Sequence, residues 1–82
     1  MQQILTHSAQ LGQVLSTRRR TSKLSQRELA AKLAISQNRL SEIETNSGTL
    51  TVDRLLELAN LLGLELVIRD RAPMPASSST EW

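Results

Sequence analysis

Two helix-start signals lie eleven residues apart near the middle of this chain, and they restrict its fold more than any other feature. Ser25-Gln26-Arg27-Glu28 is a capping box, in which a serine hydroxyl and a glutamate carboxylate satisfy free backbone donors reciprocally. Leu29, Ala30 and Leu33 then supply a buried side, and the pattern breaks at Ala34 and Ile35. Ser36 offers a second N-cap, followed by Leu40 and Ile43 at helical spacing. Two short helices are therefore joined by a turn of only three or four residues.

The flanks extend this pair. A first helix is expected from Ser8, a good N-cap, to about Arg20, with Leu11, Val14, Leu15 and Arg18 at helical spacing. After the turn cluster Asn46-Ser47-Gly48, Thr51 caps a fourth helix with Asp53 well placed against its dipole. Val52, Leu55, Leu56, Ala59 and Leu62 are read as its inward face, and Gly63 as its stop. From Leu64 the period changes to two: Leu64, Leu66 and Ile68 alternate with Glu65, Val67 and Arg69, which reads as one short strand. A lone strand leaves a row of unpaired backbone groups, so its expected mate is the same strand of a second copy. Residues 1–71 are thus expected to form one domain ending in a dimerisation strand. Residues 72–82, rich in Pro, Ala, Ser and Thr, bury too little apolar area to fold alone.

Composition narrows the chemistry. Phe and Tyr are absent and Trp82 is the sole aromatic, so the core must be aliphatic, which suits packed helices. Without cysteine there is neither a disulfide framework nor a thiolate zinc site, and the single His7 builds no metal cluster alone. Nothing assembles a nucleophile or a general base, so neither an enzyme nor a cofactor site is expected. Neither a signal peptide nor a membrane span is visible, and a cytoplasmic, nucleoid-associated protein is expected. Charge is asymmetric: residues 1–50 hold seven Lys/Arg against three acids, and residues 51–82 hold three against five. That division suits an N-terminal half facing phosphates and a C-terminal half facing protein.

The second helix of the central pair begins Ser36-Gln37-Asn38-Arg39. A helix fits the DNA major groove, Gln and Asn engage adenine bidentately, and Arg39 suits guanine or phosphate. The series Leu11-Gly12, Arg19, Leu24-Ser25-Gln26, Glu28-Leu29-Ala30, Leu33, Ile35-Ser36, Leu40-Ser41, Ile43-Glu44, Leu55, Leu58-Ala59 and Leu62-Gly63 resembles the Cro/phage-repressor-like (Xre) helix-turn-helix family. The resemblance implies an all-α, lambda-repressor-like bundle of four or five helices that binds double-stranded operator DNA as a symmetric dimer. It implies that Ser36, Gln37, Asn38 and Ser41 face bases, and that Gln26, Arg39 and Asn46 meet phosphates. It also implies an ion pair, Arg19 with Glu44, joining the first helix to the end of the recognition helix. The sequence departs from the family at Ala34, where glycine is common.

The short strand and the Pro/Ser tail ending in Glu81-Trp82 are similar to those of HipB-type antitoxins. This narrower resemblance implies repression of the chain's own operon and binding of a HipA-type kinase toxin; Trp82, the lone aromatic at the end of a tail with nothing to pack against, is the expected tail contact, with Met74 second to it. The alternative is a stand-alone phage-type repressor with the same DNA chemistry and no toxin partner.

Overall fold

A computed structural model describes residues 2–71; the expectations for Met74, Trp82 and the rest of the tail fall outside the described residues. Four helices follow one another: α1 (Ser8–Thr21), α2 (Gln26–Leu33), α3 (Gln37–Thr45) and α4 (Val52–Leu61), with a 3₁₀ turn at Ser47–Thr49. Three of the four N-caps are those expected. Ser25, Ser36 and Thr51 accept from the backbone N–H of Glu28, Arg39 and Arg54, at 3.0, 3.0 and 3.1 Å. Glu28 completes its capping box by accepting from the Ser25 N–H at 2.8 Å. That backbone bond is the main reason its carboxyl lies below the usual range, with the Ser25 hydroxyl and Lys32 adding to the effect against a small burial penalty. The exception is α1, which starts one residue earlier than expected, with His7 as N-cap. There the Gln10 side chain reaches back to accept from the Thr6 and His7 N–H groups, so Ser8 is already helical.

Three helices end in one motif. After α1 the N–H groups of Lys23 and Leu24 bond to the carbonyls of Arg20 and Arg19; after α2 those of Ala34 and Ile35 bond to Ala31 and Ala30; after α4 those of Gly63 and Leu64 bond to Asn60 and Ala59. This is the Schellman arrangement, which needs a left-handed residue followed by an apolar one. Lys23, Ala34 and Gly63 are left-handed, with φ of 61°, 58° and 71°. Leu24, Ile35 and Leu64 follow them and pack against the core. Gly63 was legible as a stop, and so was the break at Ala34, where alanine stands in place of the common glycine; the stop at Lys23 was not, because lysine carries a Cβ into a region that disfavours it by about 1 kcal/mol.

The core is aliphatic, as expected. Leu15, Leu29, Ala30, Leu33, Leu40, Ile43, Leu58 and Leu62 form it. The expected inward face of α4 holds at Leu55, Ala59 and Leu62 and is corrected at Val52 and Leu56. Leu58, fully buried, is its centre, whereas Val52 is 69% exposed and Leu56 43% exposed. At 100° per residue, Val52 and Leu56 lie roughly 120° and 160° around the helix from Leu58, beyond what the other helices cover. No strand occurs among the described residues, and Leu64 belongs to the stop of α4 rather than to a strand. Leu66, Val67 and Ile68 are exposed in the single chain.

Close approach of α1 to the end of α3 depends on Gly12. A Cβ there would collide with the Glu44 carbonyl and lie 2.8 Å from the Ser47 hydroxyl oxygen. Ser47 is itself buried and donates to the Ile43 carbonyl at 2.8 Å, so the space cannot be recovered by moving a flexible side chain. A glycine inside α1 lowers helix propensity by roughly 1 kcal/mol, and the contact it permits offsets that cost.

Opposite effects of two small substitutions are expected. Gly12→Ala should destabilise the domain by about 1 to 3 kcal/mol through overpacking, and Ala34→Gly should stabilise it by about 1 kcal/mol through relief of left-handed strain. Thermal denaturation checks both, since about 4 to 8 °C accompanies each kcal/mol in a domain of this size.

Candidate nucleic-acid interface

Rigid placement of α3 begins with a buried charged cluster. Arg19 is buried on α1, and its guanidinium donates to both Glu44 oxygens, from Nε at 2.7 Å and from Nη2 at 3.2 Å. Its Nη1 donates to the Leu24 carbonyl at 2.9 Å, so one arginine ties α1 to the α1–α2 turn and to the end of α3. Gln26, the first residue of α2, donates its side-chain amide to Glu44 at 3.0 Å. The expected pair is therefore present, and Gln26 is joined to it. One Gln26 amide proton is committed to Glu44, leaving the second proton and the carbonyl for an outside partner.

Burial by itself would raise the Glu44 carboxyl, and this is the largest single influence on it. Hydrogen bonds from Arg19, Gln26 and Ser16, with the Arg19 charge, together outweigh burial and hold the group below the usual value of 4.5.

The first two turns of α3 carry the expected base readers. Ser36, Gln37 and Asn38 are exposed and Ser41 is half-buried, while Leu40 and Ile43 are buried. The acceptor of Ser36 is occupied by capping, which leaves its O–H to donate outward. Asn46 ends α3 with its backbone N–H on the Glu42 carbonyl, and it is exposed. Thr45, not singled out from the sequence, lies on the same outward face and donates to the Ser41 carbonyl at 3.0 Å. Its spacing of four from Ser41 was the available signal.

Arg39 is placed differently from a free phosphate ligand. Its Nη1 donates to Glu42 at 3.0 Å and to the Thr49 hydroxyl at 3.2 Å, and its Nη2 donates to the Thr49 carbonyl at 3.3 Å. Arg18 and Arg54 are also internal ligands. Arg18 donates to the Leu62 carbonyl at 2.8 Å, and Arg54 to the Leu33 carbonyl at 3.1 Å, so each closes the end of a neighbouring helix. Among the described residues, Arg20, Lys23, Arg27 and Lys32 are exposed and make no ion pair. These four are the cations of the N-terminal half left to face solvent or phosphate. Neither a group of metal-ligating side chains nor a helix long and apolar enough to cross a membrane occurs among the described residues.

Because the folded Glu44 carboxyl releases its proton more readily than the unfolded one, its stabilisation is complete above the usual glutamate value. It is lost as the pH falls below 4.5 through the lower folded value. Urea titrations over a pH series should show that acid slope. Glu44→Gln should lower stability by about 3 kcal/mol at neutral pH, since it leaves Arg19 buried without its counter-charge, and should flatten the slope to the part owed to Glu28.

The helix-turn-helix family model matches residues 15–68. An uncharacterized HTH-type transcriptional regulator of Sinorhizobium fredii (strain NBRC 101917 / NGR234), y4dL, is 36% identical over 64 residues, which is 78% of this chain and 33% of that protein. The chain thus spans about a third of that relative's length. A chain of the solved HipA–HipB–O2–O3 complex superposes with a TM-score of 0.75 at 26% identity, over 84% of this chain and 97% of that one. The matched segment contains the capped α2–α3 pair, the left-handed turn between them and the Arg19–Glu44 bridge beneath them, and the chain belongs to the helix-turn-helix family in its Xre-type branch.

Proposed function

We propose that this protein is a sequence-specific DNA-binding transcriptional repressor acting as a homodimer. More narrowly, we read it as a HipB-type antitoxin that represses its own operon and binds a HipA-type kinase toxin. The observation that carries the DNA reading is the exposed pair Gln37 and Asn38, with the half-buried Ser41 beside them, on a helix anchored by Leu40, Ile43 and the Glu44 cluster. A rigid helix presenting amide side chains at its N-terminal end meets the geometric requirement of major-groove readout. In this reading Ser36, Gln37, Asn38 and Ser41 contact bases, while Gln26, Arg39 and Asn46 contact phosphates. Likeness to a chain of the HipA–HipB–O2–O3 complex supports the antitoxin reading. Co-expression with a HipA-type kinase separates it from a stand-alone phage-type repressor, since only an antitoxin forms a complex with the kinase.

The dimer reading rests on apolar surface that one chain leaves open. A groove of about 1030 Å³ runs between the segment containing Ile4 and Leu5, the α1 residues Leu11 and Val14, Leu55 of α4, and residues 64–71. Beside it Leu66 is 44% exposed, Val67 70% and Ile68 100%. In a dimer the strand pairing expected for Leu64, Leu66 and Ile68 would begin beyond Leu64, whose N–H is held by α4, and would set Leu66 and Ile68 beside the same residues of the second copy. In the single chain the Leu64 N–H is taken by the Ala59 carbonyl, which leaves the backbone groups from Leu66 onward for such pairing.

Gln37→Ala or Asn38→Ala should cost roughly 1 to 3 kcal/mol on a cognate duplex and little on random DNA, as fluorescence anisotropy would read. Equal losses on both would argue against base contacts. Deleting residues 64–71 should shift sedimentation equilibrium toward monomer; an unchanged dimer would remove this segment from the interface.

A further inference from the structure

Glu42 was not among the residues expected to act, yet it stands on the outward side of α3, four residues after Asn38, with its side chain 68% exposed. An acid on a surface that meets DNA is repelled by phosphates unless it has a specific task. Its one ion-pair partner among the described residues is Arg39, and the pair does not stand alone. Of the five N–H donors of Arg39, three are taken by Glu42 and Thr49, so the cation is drawn along the flank of α3 toward the 3₁₀ turn.

We infer that Glu42 is a positioning residue for DNA discrimination: it holds Arg39 against Thr49 and neutralises it, so that Arg39 contributes little to sequence-independent binding. The inference rests on the DNA-binding reading above. Non-specific affinity comes almost wholly from cations that displace counter-ions from phosphates, and each additional one steepens the salt dependence. An arginine already paired must exchange its carboxylate for a phosphate, and the gain from that exchange is small. On a cognate duplex the helix is seated by base contacts and the exchange is intramolecular, so Arg39 engages there selectively. Glu42 thereby lowers affinity for random DNA more than for the cognate duplex.

The structure supplies its own control. Arg54 and Glu57 on α4 form a second pair with the same spacing of three residues, and an N–O distance of 3.0 Å occurs in both pairs. Arg54 also reaches a backbone carbonyl, that of Leu33, so Glu57→Gln removes the same formal charge from the same local geometry on a helix that does not read DNA.

The experiment measures binding of the full chain to a duplex selected by the wild-type protein from a randomised pool, and to a scrambled duplex of equal composition, over a salt series. Glu42→Gln should raise affinity for the scrambled duplex about two- to five-fold and steepen its log K against log salt slope by about 0.9. Its affinity for the selected duplex should rise less, so discrimination falls. Glu57→Gln should change neither slope, and in an Arg39→Gln background Glu42→Gln should have no further effect on the scrambled duplex. Equal gains for Glu42→Gln and Glu57→Gln, or a gain that persists without Arg39, would overturn the inference in favour of net charge alone. A loss confined to the selected duplex would overturn it in favour of direct cytosine readout by Glu42. Failure of the wild type to select any duplex would instead overturn the DNA-binding reading itself.

Discussion

The bidentate contact between Arg19 and Glu44 is the interaction on which the rest of this small structure depends. It spans twenty-five residues of sequence, and its members come from the first and third helices. Removing either partner would leave a largely buried charge uncompensated, a larger penalty than the net worth of the intact pair. Arg19 also closes on the Leu24 carbonyl and Glu44 also accepts from Gln26, so every unit of the helix-turn-helix meets at this point. Gly12 brings the backbones of α1 and α3 close enough for the bridge to form without distortion.

Helix starts were legible in the sequence because their chemistry is local: a hydroxyl three residues before the N–H it accepts from is visible in the order of residues. Ser25, Ser36 and Thr51 all behave as that order requires. Helix ends were less legible, since the left-handed residue was glycine at only one of three stops. The signal common to all three is the aliphatic residue that follows, Leu24, Ile35 and Leu64, and it is recognisable only once the core beneath it is known. The same limit explains α4. Its apolar residues cover more of the helix than one core can use, so sequence alone did not separate the buried Leu58 from the exposed Val52 and Leu56.

Within the candidate interface, the residue types on the reading helix were visible from the sequence, but the state of its arginine was not. A basic residue one turn into a recognition helix suggests a phosphate ligand, whereas three contacts with Glu42 and Thr49 restrain it against the protein surface. The asymmetry between a basic N-terminal half and an acidic C-terminal half therefore overstates the charge offered to a partner. Arg18 and Arg19 are consumed in joining helices, as is Arg54 in the other half. Such guanidiniums act as rigid, directional donors to carbonyls, a role that lysine would fill poorly.

The way α4 is attached has a consequence for the order in which the domain assembles and opens. Helix α3 approaches both α1 and α2 closely through their backbones, while α4 is held mainly by side chains and by two arginine bonds, Arg18 to Leu62 and Arg54 to Leu33. The first three helices are also near neighbours in sequence, so their loop-closure entropy is small and they can form a nucleus before the fourth arrives. In reverse, α4 has the fewest close backbone approaches to resist a local opening, and its hold on the domain rests on Leu58, Leu62 and those two arginines.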